Sequence, residues 1–382
     1  MANPFTPTFG VSPPVLVGRD EVIEDFGDAL DSGPGDPARA MLFTGARGAG
    51  KTVMLNALED QARRRNWVVV SETTRPGVAE EIARSTLPRL LAKHAGGSTE
   101  WRATSAELKV SGTGLGISRE FTERYPATAT FRSQLEDLAD HLAPIGSGVV
   151  ISLDEVHTAA RDDLRAITQA VQHAFRDGRQ VAFVGAGLPG SVDDVLSDEV
   201  MTFMRRAERY GMTSVSPGDV RRALREPVEM AGRTIGDEAL TIAADGTQGY
   251  PFLVQLIGFR MWAATPDSDE ISPEDADKAV GGAIRRVGQL VHEPALAPLS
   301  PITRSFLLAM AQDDGPSKMA DIARRLGVDA NYVSQYRLKL LAAELIVSTK
   351  HGYVDFTLPY LRDYLRSHVA SRTFGTGEGH GE

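Results

Sequence analysis

Gly45-Ala-Arg-Gly-Ala-Gly-Lys-Thr52 is the stretch whose reading decides the fold of this chain. Its spacing, G-x-x-x-x-G-K-[ST], belongs to a phosphate-binding loop when a strand leads in and a helix leads out. Both signals are present. Ala40-Met41-Leu42-Phe43-Thr44 is an apolar run, and Val53, Leu55, Ala57 and Leu58 give the following segment an apolar helical face. Gly45, Gly48 and Gly50 let the backbone curl, so that successive amides from Ala46, Arg47 and Ala49 onward point inward at phosphate oxygens. A helix opening near Lys51 adds the positive end of its dipole. Lys51 is placed to reach the β- and γ-phosphates, and the Thr52 hydroxyl to take a magnesium position. The pattern implies a nucleoside triphosphate held with Mg2+.

A second run, Val149-Val150-Ile151-Ser152-Leu153, ends in Asp154-Glu155 and follows Gly146-Ser147-Gly148. A short, nearly all-apolar run of this kind reads as a buried parallel strand. Open α/β sheets place their ligands at the carboxyl ends of such strands, so the two carboxylates are expected beside the phosphate loop. Asp154 is the candidate magnesium ligand. Glu155 is the candidate general base that polarises the attacking water. His157 is read as a surface residue on the helix that follows.

Composition narrows the class. The chain of 382 residues has room for two or three domains, with 42% hydrophobic and 24% charged residues, as in an ordinary globular protein. It has no cysteine, which excludes disulfides and thiolate metal or redox sites and points to a cytoplasmic setting. No apolar run is long enough to span a membrane, and the first residues lack a secretory signal pattern. A net charge of −10 argues against general binding of polyanions but permits a local basic surface.

Residues 1–14 are Pro-rich and read as an extended arm. Val15-Leu16-Val17-Gly18-Arg19-Asp20 then leads into a helix carrying Ile23, Phe26 and Leu30. Strands are expected near 41–45, 67–71, 149–153, 181–185 and 211–215, with helices between them. That alternation predicts an α/β core, residues 15–215, with a parallel sheet under helices on both faces. A Gly-rich alternating stretch near 104–118 predicts a β-hairpin insertion that contacts the lid or a partner. From Ser216 the pattern turns helical. Ser216-Pro217 and Ser272-Pro273 are N-cap signatures, and Gly249-Tyr250-Pro251 opens a further helix, giving a helical lid over 216–295.

Residues 296–370 carry the pattern of a winged helix-turn-helix. Ile322, Ala323 and Leu326 form the inner face of a first helix, Gly327 the turn, and Val333, Leu338 and Leu341 the inner face of a second. Leu345-Ile346-Val347 and Tyr353-Val354-Asp355-Phe356 are expected as wing strands. Lys318, Arg324, Arg325, Arg337, Lys339 and Lys350 outnumber Asp321, Asp329 and Glu344 there. Asn331, Tyr332, Ser334, Gln335 and Arg337 are expected to face outward. Duplex DNA is one candidate partner for that face, and packing on the core or a protein contact is the other. The tail, 371–382, has the composition of a disordered segment.

Val17-Gly18-Arg19-Asp20, the phosphate loop, Asp154-Glu155, the lid and the terminal winged helix together resemble the AAA+-related ATPases. The branches most alike are the origin-recognition and archaeal-initiator ATPases and the signal-transducing STAND ATPases. The resemblance spans about residues 15–367 and implies a P-loop NTPase core with ATP and Mg2+ as cofactors. It implies that Val17, Gly18 and Arg19 line the adenine pocket, that residues Gly45 to Val53 cradle the phosphates, and that Pro251, in a lid G-x-P motif, lies near the nucleotide. It makes Arg205, Arg206 or Arg209 a candidate arginine finger toward a second copy, a solvated basic helix being the alternative. Two family features are missing. Tyr250–Gly258 contains no lid arginine, and Val184-Gly185-Ala186-Gly187 lacks the polar sensor expected after its strand. Both departures point to a slow nucleotide switch. A DNA-binding initiator and a nucleotide-binding scaffold remain the alternatives.

Overall fold

The computed structural model describes residues 2–8, 10–95, 130–188, 204–264, 266 and 268–373. The hairpin expected near 104–118 and the tail beyond 373 lie outside the described residues. Five strands form the core sheet: β1 (Ala40–Thr44), β2 (Val68–Thr73), β3 (Val149–Asp154), β4 (Val181–Gly187) and β5 (Glu208–Gly211). All pair in parallel, in the order β2-β3-β4-β1-β5. β4 lies between β1 and β3, so the loop after β1 and the acids ending β3 face each other across one strand at the carboxyl edge of the sheet.

The central strands β3, β4 and β1 are nearly all apolar because both of their faces are covered. Leu42, Val70, Ile151, Leu153 and Phe183 pack with α3 (Leu87–Ala95), α4 (Phe131–Leu142) and α5 (Arg161–Arg176) on one side. Met41, Phe43, Val150, Ala182 and Val184 pack with α1 (Asp20–Ser32) and α2 (Lys51–Arg64) on the other. The fifth strand begins at Glu208 rather than 211. Its register, Met41↔Glu208 to Thr44↔Gly211, makes it an edge strand with only one covered face. Glu208 and Tyr210 are half-buried, Arg209 and Gly211 exposed, and Tyr210 stacks on Phe43 at 5.4 Å. Glu-Arg-Tyr-Gly alternates half-buried with exposed residues and so carries no apolar run to mark it in the sequence.

Four helices follow: α6 (Pro217–Met230), α7 (Asp237–Thr247), α8 (Pro251–Ala264) and α9 (Pro273–Val287). Ser216 and Ser272 cap α6 and α9, each accepting from the amide three residues on at 3.2 Å. This region is not wholly helical, because β6 (Thr234–Ile235) and β7 (Glu270–Ile271) pair in parallel and tie two of its loops together. The C-terminal unit holds α10 (Pro301–Met310), β8 (Ser317–Lys318), α11 (Met319–Leu326), α12 (Ala330–Ala342), β9 (Ile346–Lys350), β10 (Tyr353–Phe356) and α13 (Leu361–Thr373). Gly327, at φ 67°, joins α11 to α12, and the three strands form an antiparallel sheet in the order β8-β10-β9.

Two expectations for this unit are corrected. Leu338 is not buried but 61% exposed; Leu340 is fully buried in its place. Val333 and Leu340 are two turns apart on one face, whereas position 338 is rotated about 140° from 333. α13 also continues to Thr373, into the segment read as tail. The helices of 217–287 and the C-terminal unit share one buried cluster, which also takes in Phe5 and Val17. No helix among the described residues is long and apolar enough to cross a membrane.

Candidate functional site

The phosphate loop curls because three positions can. Gly48 and Gly50 sit at φ 76° and 91°, where a side chain would be strained, and Gly50 is the residue before α2. Gly45 backs onto Met212, with a Cβ there only 2.8 Å from the Met212 carbonyl oxygen. Lys51 opens α2, is 7% exposed, and donates from Nζ to the Gly45 and Ala46 carbonyls at 2.6 and 3.2 Å. Burial pulls the Lys51 ammonium below its ordinary value, while Glu155, Glu344 and Asp154 oppose that shift.

Thr52 Oγ1 donates to Asp154 Oδ2 at 2.6 Å, so the two residues proposed for magnesium meet across β1 and β3. A hydroxyl and a carboxylate converging at the mouth of the loop are hard oxygen donors that suit a small divalent cation. When bound, such a cation would neutralise phosphate charge. Glu155, at φ 56°, turns the chain out of β3; its carbonyl accepts from Thr74 Oγ1 at 2.6 Å and its amide donates to Asp154 Oδ1 at 2.8 Å. Its carboxylate is 42% exposed, so water can reach it.

His157 is not the surface residue the sequence suggested. It lies in a single helical turn, Val156–Thr158, before α5, its side chain is 17% exposed, and its Nε2 is 3.2 Å from Glu155 Oε2. Burial lowers its pKa, Lys51 and Arg47 push the same way, and Glu155 opposes them. The ring therefore charges less readily than an ordinary histidine, although it sits beside a carboxylate. The tight turn imposed by Glu155 folds His157 back, and residue spacing alone does not show this.

A cavity of about 800 Å3 opens beside the loop. Arg47 to Val53 form its floor, Glu155 and His157 one end, and Val17, Arg19 and Pro251 part of its wall. Val17 is buried. Arg19 donates to the Thr213 carbonyl at 3.0 Å, whereas Gly18, at φ 66°, abuts Asp219. Ala46 lines a second cavity, of about 810 Å3, on the other flank of the loop with Tyr250, Pro251 and Glu344. Among the described residues, the cations that line the first cavity are Arg19, Arg47 and Lys51, and none comes from 216–295.

Tyr250 is the residue sequence reasoning passed over. It is 6% exposed, and its hydroxyl donates to the carbonyl of Arg47 at the crest of the loop. A Cβ at Gly48 would collide with that hydroxyl. The Gly-Tyr-Pro motif thus places a tyrosine on the phosphate loop as well as a proline beside it. Arg205 and Arg206 are exposed in a single turn, Met204–Arg206, and Arg209 is exposed in β5. They occupy no extended helix, and they lie toward the strand end remote from the loop.

On the C-terminal unit, Asn331, Tyr332, Ser334 and Gln335 are exposed, while Arg337 is half-buried and donates to Ser348 at 2.6 Å. Arg325 and Asp313 form a two-pronged ion pair, and Arg324 pairs with Asp321 at 2.9 Å.

Sheet order, phosphate loop and strand-end acids define a P-loop nucleotide-binding protein of the division with an extra strand between loop strand and acid strand. Residues 15–184 match the AAA ATPase domain family. Residues 289–365 match a family described as a domain of unknown function (DUF8462). The whole fold is similar to that of the Walker-type ATPase PABY2304 of Pyrococcus abyssi, with TM-score 0.64 at 14% identity over 92% of this chain and 96% of that one. It is also similar to the ORC2 protein of Aeropyrum pernix, solved in ADPNP–ADP complexes, with TM-score 0.60 at 13% identity over 96% and 98% of the two chains. No curated protein matches the chain in sequence.

Proposed function

We propose that this protein is a cytoplasmic ATP-binding switch that hydrolyses ATP slowly with Mg2+ and repositions a C-terminal winged helix. In this reading the core is 15–215, the lid 216–295 and the winged helix 296–370. The observation that carries it is the bond from Tyr250 of the lid to the Arg47 carbonyl of the phosphate loop. It makes the position of the lid depend on the conformation of the loop that holds the phosphates. The C-terminal unit follows the lid because they share a core, and because Tyr360 donates to the Gly246 carbonyl and His292 Nε2 to the Pro359 carbonyl, each at 2.8 Å. ATP and ADP differ in one phosphoryl group, so only contacts to that group can bias the two arrangements.

Roles follow from placement. Lys51 and the loop amides hold the β- and γ-phosphates, Thr52 and Asp154 take the cation, and Glu155 polarises the water. The lid supplies no cation to the cavity, which supports slow turnover. The test combines titration with fluorescent ADP and ATP, phosphate release, and gel filtration with small-angle scattering in ADP and in a non-hydrolysable ATP analogue. Binding with slow release and a change of shape or association state between nucleotides supports the reading. Binding without release above background, and without change of shape, would instead make the protein a nucleotide-binding scaffold.

A second reading is favoured by the exposed row Asn331, Tyr332, Ser334 and Gln335 on α12. In it, ATP gates engagement of duplex DNA by that face.

A further inference from the structure

Residues 3–8 and 10–13 precede every motif of the nucleotide core, yet they are fixed at two places on two different bodies. At one end, Phe5 is 1% exposed and its ring packs where a Cβ on Gly258 of α8 would have to sit. Asn3 Nδ2 donates to the Phe259 carbonyl at 2.9 Å, and the Thr6 amide donates to Gln255 Oε1 at 3.1 Å. At the other end, Asn56 Nδ2, on α2, donates to the Gly10 carbonyl at 3.0 Å and to Ser12 Oγ at 3.3 Å. Gly10, at φ 81°, lies against the phosphate loop's own Thr52, and a Cβ on it would be 3.8 Å from Thr52 Cγ2. Along the segment Thr6, Pro7, Thr8, Gly10, Val11 and Pro13 line the cavity.

We infer that this segment is a working part of the nucleotide site: a strap from lid helix to core helix that walls the cavity and governs nucleotide release. The inference rests on the proposal that the cavity holds a nucleotide. Chain length gives the strap mechanical consequence. From Thr6 to Gly10 the backbone can span at most about 14 Å, so the lid can open only until the strap is taut. Wider opening requires Phe5 to leave its seat on Gly258 or Gly10 to leave Asn56. Pro7 and Pro13 remove backbone donors and fix φ, which leaves the cavity a wall with fewer polar groups on this side. A nucleoside base is the chemistry such a wall suits. The strap should therefore affect residence time more than the encounter rate.

The experiment is stopped-flow displacement of fluorescent ADP and ATP from the full chain, from Phe5→Ala, from Asn56→Ala and from a chain lacking residues 2–9, with thermal melting to confirm folding. The strap predicts dissociation about tenfold faster in Phe5→Ala and in the shortened chain, faster by a smaller factor in Asn56→Ala, and association within about twofold. Asn56→Ala acts at the opposite anchor without emptying a core position, so it keeps the test decisive should Phe5→Ala fold poorly. Unchanged dissociation in Asn56→Ala and in the shortened chain, with wild type binding and Lys51→Ala not, overturns the strap and leaves the nucleotide site standing. Absence of binding in wild type overturns the nucleotide site itself.

Discussion

Nε2 of His157 lies 3.2 Å from Oε2 of Glu155, so an imidazole sits beside the carboxylate proposed to polarise water. Holding the carboxylate fixes its direction, and charging the imidazole would tighten that hold and take the base away. Because burial depresses His157, protonation begins below the ordinary histidine range. Phosphate release should fall only once the pH drops below the ordinary histidine range. His157→Gln should keep its rate to lower pH, because glutamine cannot become a cation. Glu155→Gln should bind ATP normally and release phosphate at least about a hundredfold more slowly. Superimposable pH profiles for wild type and His157→Gln would remove His157 from this role.

Lys51→Ala removes the buried ammonium from the loop and leaves phosphate charge uncompensated. ATP affinity should drop at least about tenfold, equivalent to about 1.4 kcal/mol. Asp154→Asn should weaken binding mainly when Mg2+ is present, since its partner Thr52 Oγ1 is retained. Calorimetry with and without Mg2+ separates the two variants.

The loop, the parallel core and the acid pair were legible because each has a local signal: a glycine spacing, an apolar run, a strand-end carboxylate. What escaped depends on contacts between segments remote in sequence. Tyr250 reaches Arg47 across 203 positions, and nothing in Gly249-Tyr250-Pro251 states where its hydroxyl goes. Glu208–Gly211 was displaced because Glu-Arg-Tyr-Gly alternates half-buried with exposed residues and has no apolar run. Leu338 was misassigned because leucines at 338, 340 and 341 offer several helical phases, and only packing selects Leu340. His157 was missed because the positive φ of Glu155 reverses the chain at that point.

Tyr250→Phe isolates the lid contact. It removes one hydrogen bond, leaves the Arg47 carbonyl short of a donor, and keeps the ring near Phe252. The closed arrangement should lose about 1 kcal/mol, which corresponds to nucleotide dissociation roughly fivefold faster. The difference in shape between the ADP and ATP-analogue states should shrink with it. Unaltered dissociation would show that the lid does not sense the loop through this bond.

Glu344 ties the C-terminal unit to pH. Burial pushes its carboxyl up to about 7, with Lys51 opposing, and its Oε2 is enclosed without a hydrogen-bond partner among the described residues. A folded-state value above the unfolded one means that its contribution is fully present below about 4.5 and is lost as pH rises through about 7. His292 has the opposite sign. Burial lowers it to about 4, so its contribution is present above about 6.5 and lost as pH falls through about 4. Melting temperatures of wild type and Glu344→Gln across pH 5–8 separate them. The variant should be more stable than wild type at pH 8, and the gap should close toward pH 5. A gap independent of pH would assign the effect to packing rather than ionisation.

If the C-terminal unit engages DNA, the contacts are few. Of its basic residues, Arg325 pairs with Asp313 and Arg324 with Asp321, Arg337 donates to Ser348, and Lys350 lies 4.2 Å from the Tyr353 ring centroid. A chain of net charge −10 also repels phosphate at long range. Binding to duplex DNA should therefore be weak and should fall between about 50 and 200 mM salt, with a slope reflecting about two or three released counterions. Arg337→Ala should weaken it more than Lys350→Ala if base edges are read, because a guanidinium can grip guanine with two parallel bonds. Equal losses mean that phosphate alone is touched. Fluorescence anisotropy with ADP and with a non-hydrolysable ATP analogue then decides the partner class. Binding in one nucleotide state only supports a gated DNA engagement. No binding in either state at 50 mM salt assigns the exposed α12 face, Leu338 included, to protein contact.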